Sequence, residues 1–226
     1  NRSLFERLVA CGLESCMLTT QYRMHPVLRE FPSARFYQNR LEDGCASAER
    51  PAPAGFLWPD WDKPMAFVPI EGAEEEDEEG KSRSNRDEAA KVLNVVIDLL
   101  AMGDLTPHDI GVVTPYNGQV RLLSDLFMQS GGREPGERFE GLEIKSVDGY
   151  QGREKEVIVF STVRANDRGE IGFLSDYRRL NVAITRARRG LVVLGHPQTL
   201  RYHPEWRAYL DWAEESGLFA WHVTHS

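Results

Sequence analysis

The chain has 226 residues, 41% hydrophobic and 27% charged, enough to bury a sizeable core of its own, which excludes small disulfide- or metal-stapled scaffolds and a wholly disordered chain. Its 27 Lys and Arg stand against 35 Asp and Glu, a net charge of -8, and taken alone that balance argues against a polyanion-binding protein, whose phosphate contacts leave a basic footprint. Cys11, Cys16 and Cys45 form no CxxC pair and have no His at metal-ligand spacing, so reduced thiols, no metal site and an intracellular protein are expected.

The chain opens without Met on a helical pattern, Leu4, Phe5, Leu8 and Val9, and is expected to be a piece of a longer protein. No apolar run approaches the roughly 20 residues of a membrane-spanning helix and no signal-peptide pattern is present, so a soluble, cytoplasmic or nuclear chain without a membrane partner is expected. β-prone Leu18-Thr19-Thr20 leads into Tyr22-Arg23, and Pro26 turns the chain soon after. The stretch from Pro51 to Pro64 reads as a long connection, and Met65, Phe67, Val68 and Ile70 as a strand over 64–70. Glu71 to Glu79 then places seven acidic residues in nine positions, inside a stretch, 71–84, that reads as an irregular solvated loop. Discounting that loop removes much of the acidic balance.

Asn85, with Glu88 three residues on, has capping-box spacing. Ala89, Val92, Leu93, Val96, Leu99 and Leu100 then recur at helical period until Gly103. A strand over 109–114, a helix over 118–128, β-rich runs over 142–147 and 157–163, a helix over 176–188 and a short apolar strand at 191–194 follow. Strands alternating with helices predict a mainly parallel sheet covered on both faces, a doubly wound α/β fold. One domain over 1–200 is expected, with 201–226 an extension of uncertain role.

In such sheets ligands bind beyond the carboxyl ends of the strands. Four segments lie at or near predicted strand ends: Gln21 to Pro26, Thr114 to Gln119, Ser146 to Glu154, and the Arg-rich helix. On that helix Arg179 and Arg186 are seven positions apart and share a stripe, while Leu180, Ala183, Ile184 and Ala187 form the buried one. Guanidinium forks suit phosphoryl oxygens; a solvated basic face is the competing reading. Tyr22 beside Arg23 offers a ring to a base and a charge to a phosphate, or else a ring packed over the sheet edge. His25 has no nucleophile or metal partner nearby in sequence and reads as structural. Thr114-Pro115-Tyr116 offers a hydroxyl and a ring to a nucleic-acid strand, and equally a plain strand-to-helix turn. In the Gly turn Gln151-Gly152-Arg153-Glu154 the carboxylate can accept hydrogen bonds from a ribose. No GxxxxGK[ST] loop and no apolar run ending in an Asp-Glu pair occurs, so the chain cannot position a nucleoside triphosphate and its metal unaided.

Six blocks carry a resemblance: QYRMHP at 21–26, FPS at 31–33, TPYNGQ at 114–119, SVDGYQGREKE at 146–156, VRAN at 163–166 and RRLNVAITRAR at 178–188. In this order they resemble the second RecA-like domain of superfamily 1B helicases, in the up-frameshift-like branch that holds the RNA helicase of nonsense-mediated decay and the senataxin-like helicases. The resemblance runs from Ser3 to about Pro197 and extends to Trp58-Pro59, Asp62 to Met65 and Asn85-Arg86. The acidic run Glu74 to Glu79 and the residues from Arg201 on depart from it.

The resemblance implies a RecA-like fold of the P-loop NTPase superfamily that lacks its own P-loop. It implies the C-terminal motor half of an ATP-dependent helicase moving 5′-to-3′ on single-stranded RNA or DNA. Tyr22 would stack on adenine, Arg23 and Arg186 would reach the γ-phosphate as arginine fingers, Glu154 would bind the ribose, and Gly152 would lie close to the nucleotide. Thr114, Pro115, Tyr116, Ser146 and Val147 would hold the strand. ATP with Mg2+ would be shared with a first RecA-like domain that supplies the metal ligands, leaving this domain inactive alone. A non-catalytic nucleic-acid-binding or scaffold module, and the helicase part of a helicase-nuclease, are the alternative readings of the same motifs.

Overall fold

Five parallel strands make the central sheet: β1 (Met65–Pro69), β2 (Ile110–Thr114), β3 (Glu143–Ser146), β4 (Lys155–Ser161) and β5 (Ala187–Gly195), in the order β1-β5-β4-β2-β3. The computed structural model describes residues 4–76, 80, 82–131 and 137–221. β1, β2, β4 and β5 read as largely apolar runs because both faces are covered, whereas the edge strand β3 is half-buried. Phe67, Phe160 and Val193 point into one core, Ala66, Val159 and Val192 into the other. The first core is closed by α1 (Pro26–Phe36), α4 (Tyr177–Ile184) and α5 (Pro204–Glu215), the second by α2 (Arg86–Ala101) and α3 (Asn117–Gln129). The doubly wound α/β architecture is therefore the one the alternation of elements predicts.

α2 starts where the spacing places it, with Asn85 Oδ1 accepting the Glu88 N–H at 2.9 Å. The box is not closed by Glu88, whose side chain turns into the core; the Asn85 N–H donates instead to Gln119 Oε1 at 2.8 Å. The predicted helix over 176–188 ends at Ile184. Thr185 caps it, and Ala187 already pairs with Lys155 as the first residue of β5. Pairing in the middle of the sheet outweighs the helical pattern, so Arg179 and Arg186 do not share a helical stripe.

Trp206 to Leu218 build into the first core. α5 buries Trp206, Tyr209, Leu210 and Ala213, and the Trp206 indole N–H donates to Leu174 O at 3.0 Å. The chain then runs along β1, where Phe67 N–H donates to Leu218 O and Ala220 N–H to Phe67 O, each at 2.9 Å. This pairing covers an otherwise open sheet edge. Among the described residues no helix is long and apolar enough to cross a membrane.

Candidate functional site

The four predicted segments do not converge on one edge of the sheet. Thr114 and Ser146 end β2 and β3 in register, and Val147 N–H donates to Thr114 O at 3.0 Å. With Pro115 and Tyr116 they form the carboxyl edge. Gly152 and Glu154 precede β4 and Arg186 precedes β5, at the amino edge, where Lys155 N–H donates to Arg186 O at 3.2 Å. Residues 147–154 link the two edges, and so does α4, whose eight residues span about 12 Å. The rule that puts ligands at carboxyl ends thus covers Thr114, Pro115, Tyr116 and Ser146 and not Gly152, Glu154 and Arg186.

At the amino edge the turn Gln21 to Pro26 is closed by the Gln21 side chain, whose Oε1 accepts the N–H groups of Arg23 and Met24 at 3.0 and 2.7 Å. His25 caps α1 through Nδ1, which accepts the Val27 N–H at 3.2 Å, and its own N–H ties the turn to β5 at Arg188 O, 2.8 Å. Burial lowers the His25 pKa. Arg23 then points across the edge, Nε donating to Glu154 Oε2 at 2.5 Å and Nη1 to Thr185 O at 3.0 Å. Arg186 donates from Nε to Val182 O and from Nη2 to Thr185 Oγ1, both 3.0 Å. Both guanidiniums therefore meet at Thr185, with Glu154 beside them.

The electrostatics follow from that crowding. Burial first, and the charge of Arg23 second, lower the pKa of Arg186. The hydrogen bond from Arg23 holds Glu154 below the usual carboxylate range. Two cations facing one carboxylate leave an excess of positive charge, which an incoming anion would relieve. Tyr22 is 67% exposed. Its ring lies on Gly44, where a Cβ would sit 2.4 Å from Cε1, so one ring face is backed and the other open. Gly152, at φ +81°, has no atom within 4 Å of its missing Cβ, and its backbone is approachable. The rest of the basic block turns away: Arg178 pairs with Asp176, Arg188 with Glu156 and Arg189 with Asp104.

At the carboxyl edge, burial sorts the predicted residues. Thr114, Tyr116 and Val147 are buried, while Pro115 and Ser146 are half-buried. Tyr116 is part of the floor: its hydroxyl donates to Ile171 O at 3.3 Å and accepts from Arg164 Nη1 at 3.2 Å. Sequence reasoning placed Arg164 in the VRAN block without a role and did not single out Glu74. Arg164 Nε donates to Glu74 Oε2 at 2.8 Å, and the same oxygen accepts the Ala165 N–H at 2.8 Å and Asn166 Nδ2 at 3.1 Å. Burial raises the Glu74 pKa, and these hydrogen bonds outweigh it and leave the group lowered. The acidic stretch is therefore not simply a solvated loop. Glu74 is a half-buried anchor, and Glu75–Glu76 pair antiparallel with Arg83–Ser84. Asp77, Glu78 and Glu79 lie outside the described residues.

Beneath this edge Glu88 is fully buried. It accepts the Ser161 hydroxyl at 2.6 Å, and both its oxygens accept the Val163 N–H, at 3.0 and 2.9 Å. Val163 has φ +72°, a left-handed conformation that is costly for a β-branched residue and persists only where surroundings fix it. Burial pushes the Glu88 carboxyl up to about 7 in spite of its hydrogen bonds.

Comparison with known proteins gives the family. The AAA domain profile matches residues 1–198. The "Regulator of nonsense transcripts 1 homolog" of Drosophila melanogaster is 42% identical over 215 residues, 95% of this chain and 18% of that protein. Its Arabidopsis thaliana counterpart is 45% identical over 95% of this chain and 17% of its own. The "ATP-dependent helicase NAM7" of Saccharomyces cerevisiae is 43% identical over 96% of this chain and 22% of its own. The chain thus spans about a fifth of the length of these relatives. With the profile covering all six motif blocks and both edges of the sheet, the chain belongs to the AAA domain family, among the up-frameshift-like superfamily 1 helicase domains.

Proposed function

We propose that the chain is the C-terminal motor domain of an ATP-dependent helicase that moves 5′-to-3′ along single-stranded RNA or DNA, in the cytoplasm or the nucleus. The names of its relatives, an ATP-dependent helicase among them, support that class. One observation carries the reading: Arg23 and Arg186 meet at Thr185 with Glu154 and the exposed ring of Tyr22 on the same edge. Ring, carboxylate and paired guanidiniums match adenine, ribose and γ-phosphate in turn.

ATP would lie between this edge and a first RecA-like domain. The open face of Tyr22 takes the adenine, Glu154 accepts from a ribose hydroxyl, and Arg23 and Arg186 bear on the γ-phosphoryl oxygens. Fixed guanidiniums stabilise charge as it develops there at little reorganisation cost. Hydrolysis removes the anion that held the two cations together, and the domains part while the carboxyl edge keeps the strand. Among the described residues no group of three or more His, Cys, Asp or Glu side chains is placed to hold a metal; Mg2+, which would neutralise phosphate charge, takes its ligands from the first domain in this reading.

The test is steady-state ATP turnover of the full-length protein with and without a single-stranded RNA oligonucleotide, beside the 226-residue chain alone. Turnover rises with the strand, and the chain alone stays at background. Full-rate hydrolysis by the chain alone overturns the shared site, and a full-length enzyme indifferent to the strand overturns the motor.

A further inference from the structure

We propose that Phe173 is a base-stacking platform for the single strand, oriented by Arg179 and by the Tyr116–Arg164 floor. The proposal rests on the strand-binding reading of the carboxyl edge and names the group that takes a base there. A cleft of 440 Å³ opens beside Tyr116, lined by Arg83, Arg164, Gly172, Phe173 and Arg179 among others. The segments after β2 and β4 meet there, with Arg83 and the start of α4 beside them.

Phe173 stands at this cleft 51% exposed. A single exposed ring is ordinary; the setting of this one is not. The Arg179 guanidinium carbon sits 5.2 Å from its centroid, and the Tyr116 ring meets it edge-on with centroids 5.6 Å apart. Arg179 is itself fixed by a forked pair to Asp148, both bonds 3.2 Å, directly after Val147. The ring is thus held in one orientation and joined to the ends of both β2 and β3.

The residue before it lies on the floor itself. Gly172 has φ +52°, and a Cβ there would lie 2.5 Å from Arg164 Nη1 and 2.7 Å from Tyr116 OH. Only glycine lets the backbone settle on that floor, and the next side chain, Phe173, rests edge-on against Tyr116 with half of it exposed. An aromatic ring already ordered by its neighbours binds a base without the entropic cost of ordering a free one. Every base has a π face, so such a platform suits a motor that must step over any sequence. Arg179 and Arg83 keep 32% and 27% of their side-chain surface exposed. Each is paired, Arg179 with Asp148 and Arg83 with Glu74 and Glu76.

The experiment measures binding of the full-length protein to a fluorescent oligouridine and to the same strand carrying abasic positions. Wild type prefers the base-bearing strand, Phe173→Ala weakens its binding by roughly tenfold or more and narrows the preference, and Phe173→Trp restores both. Phe173→Leu, which keeps apolar bulk without a π face, behaves like Phe173→Ala. If wild type binds no single strand, the strand reading itself is wrong. If it binds but Phe173→Ala or Phe173→Leu matches it, the stacking platform alone is overturned.

Discussion

Replacing Arg186 by Ala in the full-length protein lowers ATP turnover by about 10³- to 10⁵-fold while leaving nucleotide binding measurable. The size of that effect follows from the way the side chain is held. Val182 O and Thr185 Oγ1 fix two of its nitrogens, and burial beside Arg23 lowers its pKa, so its charge is imperfectly solvated before ATP arrives. An anion placed against it is stabilised more than it would be by a solvated arginine, and most strongly when the γ-phosphoryl charge is at its height. In the proposed site adenine and ribose contacts fall to Tyr22 and Glu154, so truncating Arg186 removes little ground-state affinity. Arg186→Lys keeps a positive charge but not the planar fork and recovers only a small part of the rate. Single-turnover hydrolysis checks this, and an Arg186→Ala enzyme turning over near the wild-type rate removes the residue from the chemistry.

The second large effect concerns Glu88. Its folded-state pKa of about 7 stands above its ordinary value of 4.5, so the folded chain holds a proton that the unfolded chain releases. The corresponding stability is present below about pH 4.5 and is lost as the pH rises to about 7, in all roughly 3 kcal/mol. Glu88→Gln removes this slope while its amide oxygen still accepts the Val163 N–H. Glu88→Ala leaves the Val163 N–H and the Ser161 hydroxyl short of an acceptor in the core and costs about 3 kcal/mol or more. Denaturant unfolding of the chain from pH 5 to 8, followed by tryptophan fluorescence, reads both. A Glu88→Gln variant that keeps the wild-type slope sinks the assignment.

Much of the architecture was legible from periodicity alone. The strand at 65–69, the Asn85-capped helix and the apolar runs of β2 and β4 lie within a residue or two of their predicted places, because burial on both sheet faces imposes continuous apolar stretches, whereas β5 begins four residues before the predicted 191–194. The boundary at 184–187 was not legible, since Leu180, Ala183, Ile184 and Ala187 keep helical spacing and only pairing with β4 turns Ala187 into a strand. Glu74 was hidden inside a run of like residues, where composition reads as solvation and only its distant partner Arg164 shows otherwise. The same pairing explains why a net charge of -8 misleads: acids are spent fixing the arginines at both edges. Tyr22, Arg23, Glu154 and Arg186 were each legible as chemistry. Their assembly at the amino edge, opposite Thr114, Pro115 and Tyr116, is a property of crossovers that no local spacing encodes.

Binding of ADP with aluminium fluoride, a mimic of the γ-phosphoryl group in transfer, tests the central claim most directly. In the full-length protein the analogue binds far more tightly than ADP alone, and Arg186→Ala abolishes that margin while leaving ADP affinity within a few-fold of wild type. An Arg186→Ala protein that retains the full margin would contradict the claim that this chain reaches across to the γ-phosphate.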